Sequence, residues 1–312
     1  MMRGTRERFH YRRCVECGCV QIVDPPADLA AYYGDRYYSF AAARRGWWSG
    51  IAVRLRSARD HAYLPAAPAW TRAMARVRPN PLVRCVSRCP GPRAGVLDVG
   101  AGDGRLLADL ARLGFTQLLG VDPFASEDRG DPRGFSVLRR DVHGLEVAGW
   151  NVVVLSHSLE HMADPVSTLR RVAQLLAPTG TCIVRIPLAG SWAHRTYGAD
   201  WVQHDAPRHL MVHTRRGLEL AAAAAGMRIV EVEFDSSGFQ FWGSELYRRG
   251  VPLVRVSRSR LYWHFPPWVL LRYTRAARAL NRKGDGDQAT FYLRRAAPEA
   301  IAPSHLAPGG QG

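Results

Sequence analysis

Three glycines at alternate positions follow an apolar run that contains an acid, and this segment constrains the fold more than any other. The run 96–99 includes Asp98, and the glycines are Gly100, Gly102 and Gly104. A short apolar run of this kind predicts a buried parallel strand, and the residues after it predict a helix. Glycines at the turn let a ligand lie against the main chain, and a helix N-terminus offers free N–H groups. The segment therefore predicts a nucleotide-type cofactor site.

The spacing of the glycines separates this loop from two other phosphate-binding loops. A dinucleotide-binding fingerprint, G-x-G-x-x-G, would need its third glycine at the position of Arg105. A P-loop needs G-K-[ST], and the single lysine of the chain is Lys283. The remaining pattern is acid-x-G-x-G-x-G. A glycine-rich turn without a ligand stays open as an alternative at this point.

Strand-like and helix-like segments alternate through 93–295 and indicate an α/β fold. The predicted strands are 95–99, 117–122, 135–139, 151–156, 180–186, 228–234 and 288–294. The main predicted helices are 104–113, 165–177 and 215–225. Asp164 and Thr214 are predicted to cap the last two helices, and Gly226 to end the last one. Repeated β–α units predict a mostly parallel sheet with helices on both faces.

Polar residues follow the carboxyl ends of the predicted strands, which is where sheets of this kind bind their ligands. Asp122 follows the second strand, and a carboxylate there can accept hydrogen bonds from a ribose diol. A turn cap is the alternative role for this residue. After the third strand, Asp141 can accept from an adenine amino group, with Val142 against the ring, or it is a solvated loop residue. Ser156 and His157 follow the fourth strand.

The glycine loop and the acids in this order resemble class I S-adenosylmethionine (SAM) methyltransferases. The segment 157–165, HSLEHMADP, resembles the HxLEHxxDP segment of many small-molecule methyltransferases, and WVQHDAPRHL at 201–210 resembles a substrate-side segment of one subgroup. The match covers about 93–236 and resumes near 284–294. The resemblance implies a Rossmann-like, seven-stranded sheet with an antiparallel last strand. It also implies that SAM is bound by Asp98, Gly100, Gly102, Gly104, Asp122, Asp141, Val142, Ser156 and His157.

The activity implied by the resemblance is methyl transfer from SAM to a small or medium-sized acceptor. The acceptor could be a glycan, a lipid-linked molecule or a secondary metabolite, and O-methylation is favoured over C- or N-methylation. An RNA methyltransferase is one alternative, because 43 basic residues exceed 27 acidic ones and a basic protein attracts nucleic acid. The basic residues form no long tract, and no RNA-binding module is recognised, so a nucleic-acid partner is disfavoured. A non-catalytic SAM-binding protein is the other alternative.

Histidines after the fifth strand are candidates for the general base that a hydroxyl acceptor needs. Imidazole suits this role because its pKa lies near neutrality. We predict that His209 is the base, that Asp205 orients its ring and that Arg208 binds an anionic acceptor. The alternative is that His209 and Arg208 are structural and tie this loop to the edge of the sheet.

The residue types His157, Glu160 and His161 raise the question of a divalent metal ion. On a helix, His157 and His161 would share a face. They straddle a strand end and a loop, however, so we expect Glu160 and His161 to pack against the cofactor or a neighbouring helix. The sequence leaves the presence of a metal ion undecided.

The N-terminal cysteines, Cys14 and Cys17, resemble half of a zinc ribbon, and such a segment precedes the methyltransferase core in one subgroup. Structural zinc uses four ligands, usually as two such pairs. The upstream pair is missing, so either the start is truncated or the site is degenerate. Cys19, Cys85 and Cys89 are the candidate substitutes. The sequence favours the absence of a complete zinc site.

Composition divides the chain into four predicted regions. These are a cysteine segment at 1–25, a helical region at 26–92, a methyltransferase domain at 93–295 with an insertion at 239–286, and a disordered tail at 296–312. Short apolar runs, the lack of a secretory signal and only six cysteines favour the cytoplasm. Residues 268–283 mix aromatic and basic side chains, which fits peripheral contact with an anionic membrane, packing on the domain or an acceptor lid. Oligomeric state is not determined.

Overall fold

The computed structural model describes residues 7–32, 47–64, 67–77, 80–87, 91–256 and 260–296. The strands are β1 Tyr11–Arg13, β2 Val20–Ile22, β3 Val96–Val99, β4 Leu118–Val121, β5 Arg129–Asp131, β6 Phe135–Leu138, β7 Trp150–Ser156, β8 Leu176–Pro187, β9 Met211–Val212, β10 Met227–Phe234 and β11 Gln288–Arg295. The helices are α1 Trp47–Asp60, α2 Ala69–Val77, α3 Pro81–Ser87, α4 Arg105–Ala111, α5 Pro165–Leu175, α6 Trp192–Tyr197, α7 Arg215–Ala224, α8 Phe239–Arg248, α9 Leu261–His264 and α10 Pro267–Arg282. Cys89 and the predicted tail beyond residue 296 lie outside the described residues.

An eight-stranded sheet in the order β10-β11-β8-β7-β3-β4-β6-β5 forms the centre of the fold. The five strands from β8 to β6 are parallel to one another. The last strand, β11, is antiparallel to both of its neighbours. The predicted fold class and the antiparallel last strand are therefore confirmed. The eighth strand, β5, was not predicted because its three residues, Arg-Gly-Asp, have no apolar alternation; it lies at the edge, antiparallel to β6.

The order of the strands places a switch point between β3 and β7. From β3 the chain adds β4 and β6 on one side and then returns to add β7 on the other side. In the register of the sheet, Val96 pairs with both Leu118 and Val152. The carboxyl ends of these three parallel strands therefore meet at one edge of the sheet, where ligands of doubly wound folds bind.

Two apolar layers cover the faces of the sheet. Leu97 and Leu155 contribute to one layer, together with residues of α5 and α7. Val96 and Val154 contribute to the other layer, together with residues of α3 and α4. Neighbouring strand residues alternate between the faces because the side-chain period of a strand is two. Burial on both faces explains why these strands are continuous apolar runs.

The two predicted helix caps are present. The Asp164 side chain accepts a hydrogen bond from the Ser167 N–H at 2.9 Å, and α5 begins at the next residue, Pro165. The Thr214 hydroxyl accepts from the Gly217 N–H at 2.9 Å at the start of α7. Gly226, two residues beyond the last residue of α7, has a φ of 71°, a conformation that glycine adopts without strain.

A third core joins parts of the chain that are distant in sequence. The N-terminal segment forms β1 and β2, and β2 pairs with β9. Val20, Trp201 and Phe241 lie in one apolar cluster, to which α10 contributes Ala277. The cysteine segment, the loop after β8 and the insertion therefore pack together. The four-region division of the chain stays a prediction.

Candidate functional site

A cavity of about 550 Å³ lies at the carboxyl ends of β3, β4, β6 and β7. This volume is in the range of small-molecule and cofactor sites. Of the predicted cofactor residues, the following line it: Gly100, Asp122, Asp141, Val142, Ser156 and His157. Asp98, Gly102 and Gly104 do not line it. The structure thus brings together residues from four separate strand ends, as parallel strands require.

The glycine loop needs glycine for two separate reasons. Gly100, Gly102 and Gly104 have φ values of 80°, 54° and 71°, a region that other residues rarely adopt. A Cβ atom on Gly100 would also lie 2.5 Å from the Cβ atom of Ser158, which is closer than packed atoms allow. The glycine loop therefore packs closely against the segment that follows β7. A larger residue at position 100 would push the loop and this segment apart.

Asp122 links the glycine loop to the end of β4. One carboxylate oxygen accepts from the Gly102 N–H at 2.8 Å, and the other accepts from the Phe124 N–H at 2.8 Å. Burial raises the pKa of this carboxyl above its usual range. A carboxylate oxygen has two lone pairs, so each oxygen keeps capacity for a further donor in the cavity. Asp122 is thus a turn cap, and it also lines the cavity.

Asp98 lies at the end of β3 and is 5% exposed. Burial is the main reason why its pKa rises to about 7, and the negative charges of Asp122 and Asp103 raise it further. A carboxyl group in this position holds a proton at a pH where most aspartates are ionised.

Asp141 and Val142 form the next part of the wall. Asp141 caps a short 3-10 turn at 142–144, because its side chain accepts from the His143 N–H at 2.8 Å. Val142 is buried beside it. The pair places a polar group and an apolar side chain at one end of the cavity, and its predicted contact with adenine stays a prediction.

His157 is held in one orientation by charged neighbours. Its Nε2 atom is 2.9 Å from the Arg185 guanidinium, and its Nδ1 atom is 3.3 Å from a carboxylate oxygen of Glu160. A guanidinium only donates, so Nε2 accepts and Nδ1 carries the proton. Arg185 in turn donates to Asp235 at 2.5 Å. His157 therefore lines the cavity in a fixed orientation, and its φ of 54° is unusual for a residue other than glycine.

Ser158 lines the cavity and was missed by the sequence reasoning. Its hydroxyl oxygen is buried and has no hydrogen-bond partner among the described residues. A buried hydroxyl without a partner is destabilising, so a ligand that supplies one is favoured. The only sequence signal was its place in the segment 157–165.

The three residues predicted for catalysis lie together, but they do not line the cavity. Arg208 and His209 are each 4% exposed. Arg208 forms an ion pair with Asp205, whose carboxylate is 3.8 Å from the Nε2 atom of His209. Burial lowers the pKa of His209 to about 4, with the nearby His161 as a further cause. Their grouping agrees with the prediction, while their roles in catalysis stay predictions.

Tertiary structure brings Glu160 and His161 to His209, and we call these three residues the inner-wall cluster. One ligand atom of each lies within 4.8 Å of the other two. The His161 and His209 rings are 4.7 Å apart in an edge-to-face arrangement. The Leu210 N–H donates to the Glu160 carbonyl at 2.8 Å and joins the two segments. His161 lines the cavity, whereas Glu160 is fully buried behind it.

The cysteines that the structure describes lie in three places. The N-terminal cysteines contact Thr214 at the start of α7. The Thr214 hydroxyl donates to the Cys17 carbonyl at 2.5 Å, and the Thr214 N–H lies 3.4 Å from the Cys19 sulfur. Cys85, on α3, is buried in one apolar layer of the sheet, and Cys182, on β8, is buried in the other. Among the residues that the structure describes, the inner-wall cluster is the group with metal-ligand geometry.

The insertion exposes large apolar side chains next to arginines. Trp263 is 90% exposed, and Trp268 and Leu271 are at least half exposed. Arg272 and Arg275 are exposed on α10, whose other side packs on the third core. Within the described ranges, none of the helices has the length and apolar character that crossing a bilayer requires.

The chain matches a known protein family and is similar to several named proteins in sequence. A family model described as a methyltransferase domain matches residues 70–232, just over half of the chain. The chain is 26% identical to a ubiquinone biosynthesis O-methyltransferase of Xanthomonas campestris pv. campestris (strain B100) over 235 residues, which cover 70% of this chain and 89% of the relative. It is 33% identical to the protein of the same name from Caulobacter sp. (strain K31) over 171 residues, 51% of this chain and 62% of the relative.

Among solved structures, one similar protein is the 1,6-didemethyltoxoflavin-N1-methyltransferase of Burkholderia thailandensis. That structure contains bound 1,6-didemethyltoxoflavin and S-adenosylhomocysteine. The match has a TM-score of 0.44 and 17% sequence identity, and it covers 93% of this chain and all of the other.

Proposed function

The chain belongs to the methyltransferase domain family and is a SAM-dependent methyltransferase, and from this premise we propose that it methylates a hydroxyl group of a small or medium-sized acceptor. The observation that carries the proposal is the cavity of about 550 Å³ at the switch point, with Asp122 and the glycine loop on its wall. The similar proteins named O-methyltransferases support oxygen as the acceptor atom.

The residues of the cavity fit SAM in chemistry. SAM, when bound, supplies a methyl group on a positively charged sulfur. Asp122 has acceptor capacity for ribose hydroxyls, and Val142 offers an apolar surface for a base. The buried hydroxyl of Ser158 offers a partner for the polar end of the cofactor. We propose that these three residues, with the other predicted wall residues, bind SAM.

In this proposal, the inner-wall cluster provides the side chains that act on the acceptor. The protein has to hold the acceptor oxygen close to the methyl group and exclude water. The acceptor hydroxyl also has to lose a proton. Because His161 lines the cavity and contacts His209, we propose that His209, predicted as the base, acts through His161 as a positioning residue. Asp205 and Arg208 would hold His209 from behind.

Calorimetry with S-adenosylhomocysteine tests the cofactor site directly. The wild-type protein should bind this compound, and Asp122→Asn should weaken binding by about 1–3 kcal/mol, as expected for the loss of a buried charged partner. Asp24→Asn, at an exposed position, is the matched control and should bind as wild type. Folded protein that binds neither this compound nor SAM would overturn the proposed cofactor site.

Transfer of a radiolabelled methyl group from SAM tests the acceptor class. We expect label in a small-molecule fraction of a cell extract and an ether linkage in the product. Label in RNA would instead support the RNA methyltransferase alternative. Slow conversion of SAM without a labelled product in any fraction would support the non-catalytic alternative.

We further propose that the exposed side of α10 and the preceding α9 contact an anionic membrane surface. Exposed Trp263 and Trp268 suit the interface of a bilayer, and Arg272 and Arg275 are attracted by anionic lipid. The test is cosedimentation with vesicles of phosphatidylglycerol and phosphatidylcholine. Binding should fall with salt and in Trp263→Ser/Trp268→Ser, whereas Trp70→Ser, at a comparably exposed position elsewhere, should not change it. Equal binding to phosphatidylcholine alone would contradict the proposal.

A further inference from the structure

We propose that the inner-wall cluster binds one divalent transition-metal ion through Glu160, His161 and His209. The three side chains come from two segments that the tertiary structure joins, and one ligand atom of each lies within 4.8 Å of the others. Two imidazoles and a carboxylate form a ligand set suited to zinc and to divalent ions of similar chemistry. Binding of the ion does not depend on the proposed acceptor, whereas a role for it in catalysis rests on the proposed function.

The carboxylate of Glu160 is the first observation that points to a cation. Glu160 is fully buried, and its carboxylate has at most one weak hydrogen bond among the described residues, from His157. The Nδ1 atom of His157 lies 3.3 Å from one Glu160 oxygen, and the Nε2 atom of His209 lies 3.9 Å from the same oxygen. A buried carboxylate needs compensation from neighbouring donors or from positive charge, and the contact with His157 supplies only part of it. A metal ion would supply that charge.

The tautomers of the two histidines are the second observation. The Nδ1 atom of His161 is 2.8 Å from the Arg208 carbonyl, and the Nδ1 atom of His209 is 2.8 Å from the Gln203 carbonyl. A carbonyl only accepts, so each ring donates from Nδ1, and Nε2 is the nitrogen that could bind a metal ion. Metal-ligating histidines usually have this arrangement, with one nitrogen bonded to a carbonyl and the other facing the metal.

The distances between these acceptors leave room for an ion. The Nε2 atom of His209 is 3.9 Å from a Glu160 oxygen and 3.8 Å from an Asp205 oxygen. A neutral imidazole nitrogen with a lone pair cannot donate to either carboxylate. A zinc ion bonds to nitrogen and oxygen at about 2.0–2.2 Å, so two ligands of one ion lie at most about 4.4 Å apart. The ligand atoms of the cluster lie within 4.8 Å of one another, so they would move slightly closer together around an ion. Asp205 is already paired with Arg208, which leaves Glu160 as the carboxylate ligand.

The position of the cluster connects the ion to the cavity. His161 lines the cavity wall, so the ion would reach its ligands from that side. With three protein ligands, a tetrahedral ion keeps a fourth position for water or substrate. A metal ion next to the acceptor would polarise the acceptor oxygen and favour its deprotonated form. An ion in this position would account for a buried Glu-His-His group beside the cavity.

The test is metal titration of the full-length chain after treatment with a chelator. Thiols also bind zinc, so the titrations use Cys14→Ser/Cys17→Ser protein beside the wild type. Zn²⁺ is followed by calorimetry, and Co²⁺ is followed by its visible absorption, which distinguishes thiolate ligands from nitrogen and oxygen ligands. We expect one Zn²⁺ or Co²⁺ per chain in both proteins, with the spectrum of a site without thiolate in the cysteine variant.

Substitutions locate the site. Glu160→Gln and His209→Gln should each weaken Zn²⁺ binding by at least about 100-fold, since changes in residues behind metal ligands alone cost about 10–100-fold. His204→Gln is the matched control, because His204 lies in the same segment and is largely enclosed, but it is outside the cluster. It should bind as tightly as the parent protein. Binding of S-adenosylhomocysteine shows that each variant is folded.

Two results would overturn the inference. The first is that the cysteine-substituted protein binds no stoichiometric Zn²⁺ or Co²⁺. This result can be obtained without any substitution in the inner-wall cluster. The second is unchanged affinity in folded Glu160→Gln protein. If the protein binds the cofactor but no metal ion, the metal site is refuted and the proposed methyl transfer is not affected. If it binds a metal ion but no cofactor, the proposed methyl transfer is refuted and the metal site is not affected.

Discussion

Replacement of Asp98 by asparagine should change how the stability of the ligand-free protein depends on pH. Asp98 is 5% exposed, and its pKa rises from the ordinary value of 3.8 to about 7, mainly through burial and also through the charges of Asp122 and Asp103. A raised pKa means that the folded state holds a proton that the unfolded state has released. The resulting stability is fully present below pH 3.8 and is lost as the pH rises to about 7.

The magnitude follows from the size of the shift. Each pKa unit corresponds to about 1.4 kcal/mol, so ionisation of Asp98 costs the folded state about 4 kcal/mol above pH 7. Asparagine has nearly the same shape and no charge. The stability of Asp98→Asn relative to wild type should therefore increase by about 3 kcal/mol between pH 5 and pH 8.

Denaturant unfolding at a series of pH values, without cofactor, measures this difference. Asp24→Asn is the control, because Asp24 is an exposed carboxylate, and its difference from wild type should stay nearly constant over the same range. A stability difference between Asp98→Asn and wild type that does not change from pH 5 to pH 8 would refute the reasoning. A difference that falls with rising pH would show that Asp98 is stabilised as an anion.

The remaining predictions concern the loop, the core and the reaction. Gly100→Ala should destabilise the protein by at least about 1–2 kcal/mol in denaturant unfolding, because φ is positive and the new Cβ would clash with Ser158; an unchanged midpoint would contradict this. Leu155→Ala should destabilise by about 2–5 kcal/mol, because Leu155 is fully buried. Leu220→Ala, on the exposed side of α7, should stay within about 0.5 kcal/mol of wild type, and similar effects at both leucines would refute the packing argument. His209→Ala should keep S-adenosylhomocysteine binding and lower turnover by about 10²-fold, because the cavity-lining His161 would lose the residue that positions it; turnover close to wild type would end its role in the reaction.

The positions of strands and helices follow from local patterns in the sequence. The predicted last strand at 288–294 is β11, Gln288–Arg295, and the predicted helix at 165–177 is α5, Pro165–Leu175. Such elements are predictable because burial on a sheet or a helix face imposes a period that neighbouring residues display. The three-residue strand β5 is too short to display one.

Several of the residues that form the wall of the candidate site can also be predicted from the sequence. Once a parallel sheet is predicted, its strand ends must meet at one edge, and Asp122, Val142 and His157 indeed line one cavity. The side-chain arrangement inside the cavity does not follow. That Asp122 is tied to the Gly102 N–H, or that the Ser158 hydroxyl has no partner, depends on atomic positions that no local pattern encodes.

By itself, the sequence determined the α/β fold, the strand-end positions and the glycine loop, because each of these rests on interactions between residues close in the chain or on the conformational freedom of glycine. Only the tertiary structure decided that His209 meets Glu160 and His161, and that the N-terminal segment packs with the insertion. These contacts join segments that are distant in sequence. They depend on how whole elements pack, and a single sequence carries no periodic signal for such packing.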